Sequence, residues 1–477
     1  LYCSVQRCNS ALRVLNAATD EQVNGRVSRI AEMKVLRAHY YFELSRLFNK
    51  IPYFDENVEI SQYPDIPNNE FTRDEILSML AKEMLDAAEL LPASQSEVGR
   101  IHKYIALAYA AKIKLYQAYQ QDETTHAVTS INKELLREVV SLCDQVTASN
   151  RYGLLDDFQG LDLVANENGK ESVFAIQYSM NDGTESAGRI NWSNLLNSPG
   201  GGSPYGGDGF FLPSQDLINA YQTDANGLPD FNYQSKSDYS WAVLNNGVYT
   251  LQNTTPNVDP RLDFVVGRPT ITWKTYPDKP CEGWVRDKET YGYNCAKRFW
   301  VSPESSDMFN GWPWGASQLN WQIIRYADIL LWKAEALIEL NEGDGLETAR
   351  DLINQIRNRA RNSAYVKDFN DHSKYAANYL VNPYPADVWN QDYARQALRW
   401  ETRLEKALEG ERFFDLVRWG IVETTMNKYI TAESDNRIYY ANAHFTGGKD
   451  EYYPVPNNQY GFSGGKYVQN PGYAPFN

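Results

Sequence analysis

The sequence lacks a long apolar run. Its longest apolar stretch, Tyr104 to Ala111, is much shorter than the roughly 18 residues of a membrane-spanning helix, so we interpret it as a core helix. No signal peptide is visible, and Cys3 follows Leu1 and Tyr2 rather than the small residues of a lipoprotein cleavage site. We therefore expect the chain to start after its targeting segment, or after more than that.

Cysteine is scarce, with five residues in 477. An odd number excludes a fully paired disulfide framework. Cys281 and Cys295 lie 14 positions apart in a loop-like stretch, and these two can form a disulfide after export. Cys143 lies on a predicted helix face and is interpreted as a buried thiol.

The common catalytic motifs are also missing. The five histidines are scattered and form no His-Glu-x-x-His motif, and neither Cys-x-x-Cys nor an EF-hand spacing occurs. A Gly-x-Ser-x-Gly nucleophile elbow is absent as well. The loop Ser198 to Gly209 holds six glycines but no lysine, and Asp208 would repel phosphate. We interpret it as a flexible or tightly turned surface loop and expect neither a metal nor a cofactor.

The formal net charge of −15 argues against nucleic acid as the main ligand, because a negative surface repels phosphate backbones. It argues equally against a polybasic membrane patch. A neutral sugar is indifferent to net charge, so the charge permits sugar binding without supporting it.

The pattern of apolar residues predicts a mainly α-helical fold. Leu36, Tyr40, Leu44 and Leu47 recur at helical spacing, and Thr72 with Glu75 predicts a capping box at a helix start. The helices at both ends of the chain are similar, with small residues where neighbours approach closely. We predict a tetratricopeptide-like scaffold of helical hairpins over 1–150, a loop-rich and aromatic-rich ligand-binding region over 151–320, and returning helices with an irregular tail over 321–477, intertwined as one domain.

Regular structure in the middle region is predicted to be sparse. Ser172 to Tyr178 and Leu262 to Val266 have the composition of short strands. Phe210 to Tyr221 is typical of one isolated helix. Long loops that connect little regular structure usually carry function.

Paired carboxylates keep an enzymatic alternative open. A glycoside hydrolase needs only two carboxyl groups about 5–10 Å apart, and the chain has 61 acidic residues. Glu401, Glu405 and Glu409 share one helix face near Arg399, Arg403 and Arg412. We interpret this cluster as a salt-bridged helix surface.

Aromatic residues are abundant, with 33 Tyr, 18 Phe and 12 Trp. Seven of the tryptophans fall between residues 180 and 315. A flat ring can stack on the C–H face of a sugar while neighbouring polar groups bind its hydroxyls, although some of these rings will instead anchor the loops by burial. The candidate ligand-binding residues are Trp192, Trp273, Trp284, Tyr291, Tyr293, Trp300, Asn310, Trp312 and Trp314.

An ordered set of motifs resembles the SusD/RagB family over nearly the whole chain. The stretches concerned are EMKVLRAHYYFELSRLFNKIPYF at 32–54, the helix at 100–116, PSQDLINAY at 213–221, DPR at 259–261, RYADILLWKAEALIEL at 325–340, NQIRNRA at 354–360, LEGERFFDLVRWG at 408–420, YPVP at 453–456 and QNPGY at 469–473. No single motif is decisive, but their order is specific.

This resemblance implies a SusD-like fold and a role in nutrient uptake without catalysis. Family members are lipoproteins at the outer surface of the outer membrane, where they bind glycan, or peptide in RagB-like members, for a SusC-like TonB-dependent transporter. The resemblance therefore implies a glycan ligand, that transporter as partner, and a membrane attachment through an N-terminal lipid anchor that this chain does not contain. A peptide-binding importer component and a helical glycoside hydrolase remain the alternatives.

Overall fold

The computed structural model describes residues 1–184, 188–197, 199–200, 202–280 and 282–476. Five helices form the first part of a scaffold, each packed against the next: α1 (Tyr2–Ala17), α2 (Arg26–Phe48), α3 (Arg73–Leu90), α4 (Lys103–Ala118) and α5 (Lys133–Ala148). The predicted capping box is present at the start of α3, where Thr72 accepts from the Glu75 amide and Glu75 from the Thr72 amide. Helix α4 contains the apolar stretch from Tyr104 to Ala111 and is buried on most sides, as the sequence predicts.

An antiparallel hairpin follows α4 and returns the chain to α5. Its strands are β1 (Tyr119–Gln121) and β2 (Val128–Ile131). The turn between them is held by Asp122, whose Oδ1 accepts the amides of Thr124 and Thr125 at 3.0 and 2.7 Å. Cys143 on α5 is completely buried, in agreement with its interpretation as a structural thiol.

The middle region consists of short elements joined by long loops. In chain order these are β3 (Ser172–Ile176), α6 (Asn194–Asn197), α7 (Gln215–Ala220), β4 (Gln222–Thr223), β5 (Trp241–Asn245), β6 (Val248–Gln252), β7 (Asn257–Val258), α8 (Arg261–Val265), β8 (Val266–Gly267), α9 (Lys288–Tyr291), β9 (Cys295–Ala296) and β10 (Trp321–Arg325). The strands pair antiparallel in twos: β3 with β10, β4 with β7, β5 with β6, and β8 with β9.

Two predicted elements of this region differ from the structure. The strand predicted over Leu262 to Val266 is wrong, since Arg261–Val265 is the helix α8. A short apolar run does not distinguish strand from helix by periodicity; here Asp263 turns inward to bind Arg268 at 2.8 Å. The helix predicted from Phe210 begins only at Gln215, where Ser214 caps it by accepting from the Leu217 amide.

The returning helices complete the scaffold. They are α10 (Tyr326–Leu340), α11 (Gly345–Asn362), α12 (Gln391–Glu405), α13 (Arg412–Arg418), α14 (Val422–Ser434) and α15 (Asn457–Phe462), with single 3-10 turns at Ile60–Asp65, Phe158–Asp162, Val164–Asn166, Tyr233–Ser235 and Ile438–Tyr440. Helix α10 packs against α5 as well as against α11 and α12. The two ends of the chain thus share one hydrophobic core.

The carboxylates of α12 and the residues after it are buried, so their interpretation as a helix surface is wrong. Glu401 and Glu405 have no exposure at all. Arg325, itself buried, binds Glu405 at 2.6 Å and Glu409 at 3.0 Å, and Arg261 binds Glu401 at 2.6 Å. The partners are also not the nearby Arg399, Arg403 and Arg412 but arginines from distant parts of the chain, so these ions join α12 to the start of α10 and to α8.

None of the helices among the described residues combines the length and the apolar composition of a membrane span.

Candidate functional site

The middle region and the end of α14 enclose a cavity of about 470 Å³. Its wall includes four tyrosines, for which we call it the tyrosine pocket: Tyr291, Tyr429, Tyr439 and Tyr440. The other side chains along it are Asp208, Phe210, Leu212, Pro213, Ser214, Trp284, Val285, Arg286, Glu433 and Arg437. Aromatic surface with a few convergent polar groups is typical of a small-molecule site.

Helix α14 supplies the polar end of this pocket. Tyr429, Glu433 and Arg437 are spaced four residues apart, and the Arg437 amide donates to the Glu433 carbonyl at 2.7 Å. This spacing puts Tyr429 and Glu433 on one face of α14, while Arg437 follows the helix with an extended backbone. The pocket thus receives a phenol and a carboxyl from the helix and a guanidinium from the segment directly after it.

Glu433 is almost fully buried, with 1% of its surface exposed. Its Oε1 accepts the backbone N–H of Asp216 at the start of α7, while no protein group lies within hydrogen-bonding distance of Oε2. Burial raises the pKa of Glu433 to about 7, against the opposing effects of the Asp216 amide and of Arg437. One carboxyl oxygen at the pocket wall therefore lacks a hydrogen-bond partner within the protein.

Arg437 approaches the pocket over Gly292. A Cβ atom at position 292 would lie 2.0 Å from its Nη2, and Gly292 has φ of +78°. A side chain here would be strained by the positive φ and would force the end of the Arg437 side chain to move. Arg437 donates through Nη1 to the carbonyl of Asn436 at 2.8 Å.

The tyrosines form a continuous aromatic surface. The rings of Tyr439 and Tyr440 have centroids 4.6 Å apart, and those of Tyr291 and Tyr439 are 6.1 Å apart with planes tilted by 40°. The hydroxyls of Tyr429 and Tyr440 lie 3.1 Å apart. Tyr291 and Tyr439 are both about half exposed, so their faces are accessible from solvent.

The glycine-rich loop closes the opposite side as a tight turn. Gly206, Gly207 and Gly209 all have positive φ. Arg286 donates to the Gly207 carbonyl at 2.7 Å and binds Asp208 at 3.1 Å. The loop residues Ser198 and Gly201 lie outside the described residues.

Three of the predicted tryptophans are buried behind the pocket. Trp273, Trp284 and Trp300 pack around Tyr205, and Trp273 donates its indole N–H to the Tyr205 hydroxyl at 2.9 Å. Trp284 reaches the pocket wall, but only 5% of it is exposed. These rings support the site rather than offer a free face for stacking, so we leave them out of the proposed stacking surface.

The remaining predicted residues are more accessible. Trp312 is 60% exposed and Trp314 is 48% exposed, and the peptide bond between Trp312 and Pro313 is cis. Trp314 borders the glycine-rich loop, since a Cβ at Gly206 would lie 3.2 Å from its side chain. Asn310 is exposed, as is Trp192. Tyr293 is half-buried and packs edge-on against Tyr249 at 5.6 Å.

The contribution of the C-terminal segment to the pocket was not predicted from the sequence. Glu433, Arg437, Tyr439 and Tyr440 lie more than a hundred residues after Tyr291. Two features of the sequence could have indicated this contribution: the four-residue spacing of Tyr429, Glu433 and Arg437, and the adjacent Tyr439 and Tyr440. The predicted disulfide is untested, because Cys281 lies outside the described residues.

Among the described residues, no cluster of His, Cys, Asp and Glu has the arrangement of a metal site.

Comparisons with known proteins agree with this architecture. The SusD family model matches residues 170–473, and the model described as "starch-binding associating with outer membrane" matches residues 1–115. A SusD-like protein of Bacteroides ovatus is 22% identical over 88% of this chain. That alignment spans 64% of the relative's own length.

Solved structures show the same fold. A SusD-like carbohydrate-binding protein of Bacteroides fragilis is similar with a TM-score of 0.67 and 20% identity, over 96% of this chain and 83% of that one. Surface glycan-binding protein A of Bacteroides thetaiotaomicron, solved with laminarihexaose, has a TM-score of 0.63 and 19% identity over 98% and 84% of the two chains. Because the SusD model alone matches well over half of the sequence, this chain belongs to the SusD family.

Proposed function

We propose that this chain binds an oligosaccharide in the tyrosine pocket and passes it, uncut, to a SusC-like TonB-dependent transporter at the outer membrane. The observation that carries the proposal is the combination, in one cavity, of half-exposed tyrosine faces, a carboxyl oxygen without a protein partner and a guanidinium. Exposed Trp312 and Trp314, beyond the glycine-rich loop, extend the stacking surface.

The rings suit a sugar because a pyranose has an apolar C–H face and polar edges. Tyr291 and Tyr439 offer accessible faces whose planes are tilted by 40°, which suits successive rings of a curved chain better than one flat ring. Aromatic side chains contribute contact area at a low cost in conformational entropy.

The polar groups of the pocket can form hydrogen bonds with the hydroxyl groups of a sugar. Glu433 Oε2 can accept a hydroxyl hydrogen, and Arg437 can donate to a neighbouring hydroxyl oxygen. A ligand that supplies a partner to this buried carboxyl oxygen removes the cost of leaving it unpaired. This gives the pocket a preference for a ligand with adjacent hydroxyl groups over an apolar one.

The relatives support the ligand class. One related structure is described as a laminarin-binding SusD-like protein, and another contains laminarihexaose. The family description at residues 1–115 supports an outer-membrane location. In the proposed arrangement, an N-terminal lipid anchor tethers the protein at the cell surface, the middle region carries the glycan and the helical scaffold faces the transporter.

Calorimetric titration with a glycan panel that includes laminarihexaose tests this proposal. We expect at least one glycan to bind, and Tyr439→Ala to weaken that binding about tenfold or more, as expected for a ring that stacks on the ligand. Tyr453→Ala is the matched control, because Tyr453 is also exposed but lies outside the pocket. Binding of peptides but no glycan would instead favour the RagB-like alternative.

One observation favours a second candidate, a glycoside hydrolase: a buried carboxyl whose pKa is raised to about 7 is suited to general acid catalysis. Such an enzyme needs a second carboxylate facing the first. The other carboxylate on the pocket wall, Asp208, is engaged by Arg286 at 3.1 Å. Incubating the protein with each glycan and analysing the products by chromatography separates the two functions, since we expect no cleavage.

A further inference from the structure

A second cavity of about 520 Å³ lies in the scaffold and shares no residue with the tyrosine pocket. It is enclosed by the turn between β1 and β2, the junction of α13 with α14, and the C-terminal turn from Gly447 to Glu451. We call it the scaffold cavity. Four glycines lie on its wall, Gly420, Gly447, Gly448 and Gly472, and a Cβ atom at Gly447 would lie only 2.7 Å from the Glu423 carboxylate.

His126 is held toward this cavity in an uncommon conformation. It has φ of +57°, a region that a residue with a side chain adopts infrequently. Its ring packs edge-on against Tyr452 at 4.8 Å, and only 3% of the residue is exposed. No protein group lies within hydrogen-bonding distance of its Nε2. Burial, followed by the nearby Lys50, lowers the pKa of His126 to about 4, so the ring is neutral.

Glu451 lies across the turn and is also more than nine-tenths buried. Its Oε1 accepts the Gly448 amide at 3.0 Å, whereas Oε2 has no protein partner. Two buried polar atoms from different parts of the chain therefore lack a partner in the same cavity. Native proteins rarely leave such groups without one.

The charged residues on the wall of the cavity are the carboxylates Glu423 and Glu451, whereas Lys50 and Arg73 lie near enough to His126 to lower its pKa. Glu423 forms part of the wall, with its Oε1 accepting the Gly447 amide at 3.0 Å. No lysine or arginine occurs among the described residues that line it. Lys449, on the neighbouring turn, pairs with Asp450 at 3.3 Å. The wall thus offers acceptors and negative charge to a cationic donor.

The geometry points to an organic cation. A metal ion would need at least three ligands around one point, and no such cluster occurs among the described residues. A guanidinium is flat, always charged, and carries five N–H donors spread over a wide fork. Its donors can reach separate acceptors, and it binds carboxylates with two parallel hydrogen bonds.

We propose that the scaffold cavity binds a guanidinium group, with Glu451 Oε2, the Glu423 carboxylate and His126 Nε2 as acceptors. Neutral His126 accepts at Nε2 when its proton is on Nδ1. The guanidinium can belong to a free small molecule or to an arginine side chain of a partner protein.

Calorimetric titration of the full chain with methylguanidinium and with acetyl-Gly-Arg-Gly-amide tests the proposal. The citrulline version of the peptide is the control, because it has nearly the same shape but no charge. We expect saturable binding of at least one guanidinium probe and none of the citrulline peptide. If the arginine peptide binds at least tenfold more tightly than methylguanidinium, the ligand is an arginine side chain of a partner protein. If the two probes bind with comparable affinity, the ligand is a free small molecule that carries a guanidinium.

Variants locate the site. Glu451→Gln and, separately, Glu423→Gln are expected to weaken binding at least tenfold, whereas Glu347→Gln on the exposed face of α11 leaves it unchanged. The second variant keeps the test valid if the first does not fold, which circular dichroism will show. Absence of saturable binding up to about 10 mM, equal binding of the citrulline peptide, or affinities unaffected by the substitution in every folded variant would overturn the proposal.

Discussion

At the scale of single residues, the pocket depends on groups whose burial changes their chemistry. The carboxyl of Glu433 is the clearest case, since its pKa is raised to about 7 against about 4.3 for an ordinary glutamate. Between these two pH values the folded state retains a proton that the unfolded state has released. The free energy of unfolding therefore falls as the pH rises through this window.

Glu433→Gln should remove this pH dependence. We expect the stability of the variant relative to the natural protein to increase by about 1–3 kcal/mol between pH 4 and pH 8, measured by urea unfolding at each pH. Burial also raises the pKa of Glu167 to about 7, but that group titrates in both proteins and cancels in the comparison. A difference that stays constant with pH would show that Glu433 ionises normally.

Gly292 is expected to control the position of Arg437. In Gly292→Ala, the new methyl group would collide with the guanidinium, so glycan affinity should fall about tenfold or more. Gly247→Ala is the matched control, since Gly247 has nearly the same φ, +80°, with nothing within 4 Å of its Cβ position. Gly247→Ala should lose about 1 kcal/mol of stability from backbone strain, and Gly292→Ala should lose more, because Gly292 has ψ of −167° in a region that is essentially restricted to glycine. Equal affinities in the two would mean that Arg437 does not contact the ligand.

At the scale of secondary structure, the sequence predicts an element well where its periodicity is long. Helix α4 and the cap of α3 follow directly from apolar spacing and from Thr72 with Glu75. The run at α8 is too short to decide between helix and strand, and a buried pairing of Asp263 with Arg268, invisible in the sequence, accompanies the helix. Local patterns suggest that Glu405 pairs with an arginine on its own helix, whereas its partners are the distant Arg325 and Arg359 and the pairs are buried.

Helix α12 is where a single carboxylate has the largest expected effect on stability. The arginines around Glu405, foremost Arg359 and then Arg325, lower its pKa to about 2 despite its burial. Glu405→Gln leaves those arginines with an uncompensated buried charge, so we expect a loss of about 3–5 kcal/mol in the free energy of unfolding at pH 7. Urea unfolding measures it, with exposed Glu347→Gln as control.

The effect of this substitution should depend on pH. The Glu405 pKa is depressed, so its contribution to stability is complete above the pKa of an unfolded glutamate, about 4.3, and declines as the pH falls toward 2. The difference in the free energy of unfolding between the natural protein and Glu405→Gln should become smaller over that range. If this difference does not change with pH, the loss of stability in Glu405→Gln comes from altered packing rather than from the lost charge.

At the scale of the whole molecule, the site is assembled from distant parts of the chain. The tyrosine pocket joins the middle region to the segment after α14, and strand β3 pairs with β10 on either side of the loop-rich stretch. The aromatic loops could be predicted from the sequence, but the burial of individual rings could not, because Trp273 and Trp312 both lie in stretches without a helical apolar period. That distinction depends on tertiary packing around Tyr205.

The same connections predict that the scaffold and the loop-rich region unfold together. Arg325 at the start of α10 binds Glu171 before β3 at 3.0 Å, and Arg298 in the middle region binds Glu409 at 3.3 Å. Separating the two parts would leave these buried ions unpaired, at a cost of several kcal/mol for each. A partly unfolded state with an intact scaffold is therefore unfavourable.

Two probes monitor the two parts during urea unfolding. Far-UV circular dichroism reports the scaffold helices, and tryptophan fluorescence reports mainly the middle region, which holds seven of the 12 tryptophans. We expect the two transitions to have the same midpoint, and Glu405→Gln to shift both to lower urea by the same amount, since Glu405 binds Arg325 at their junction. A fluorescence transition that precedes the loss of helix would instead identify the middle region as a separately folding unit carried by the scaffold.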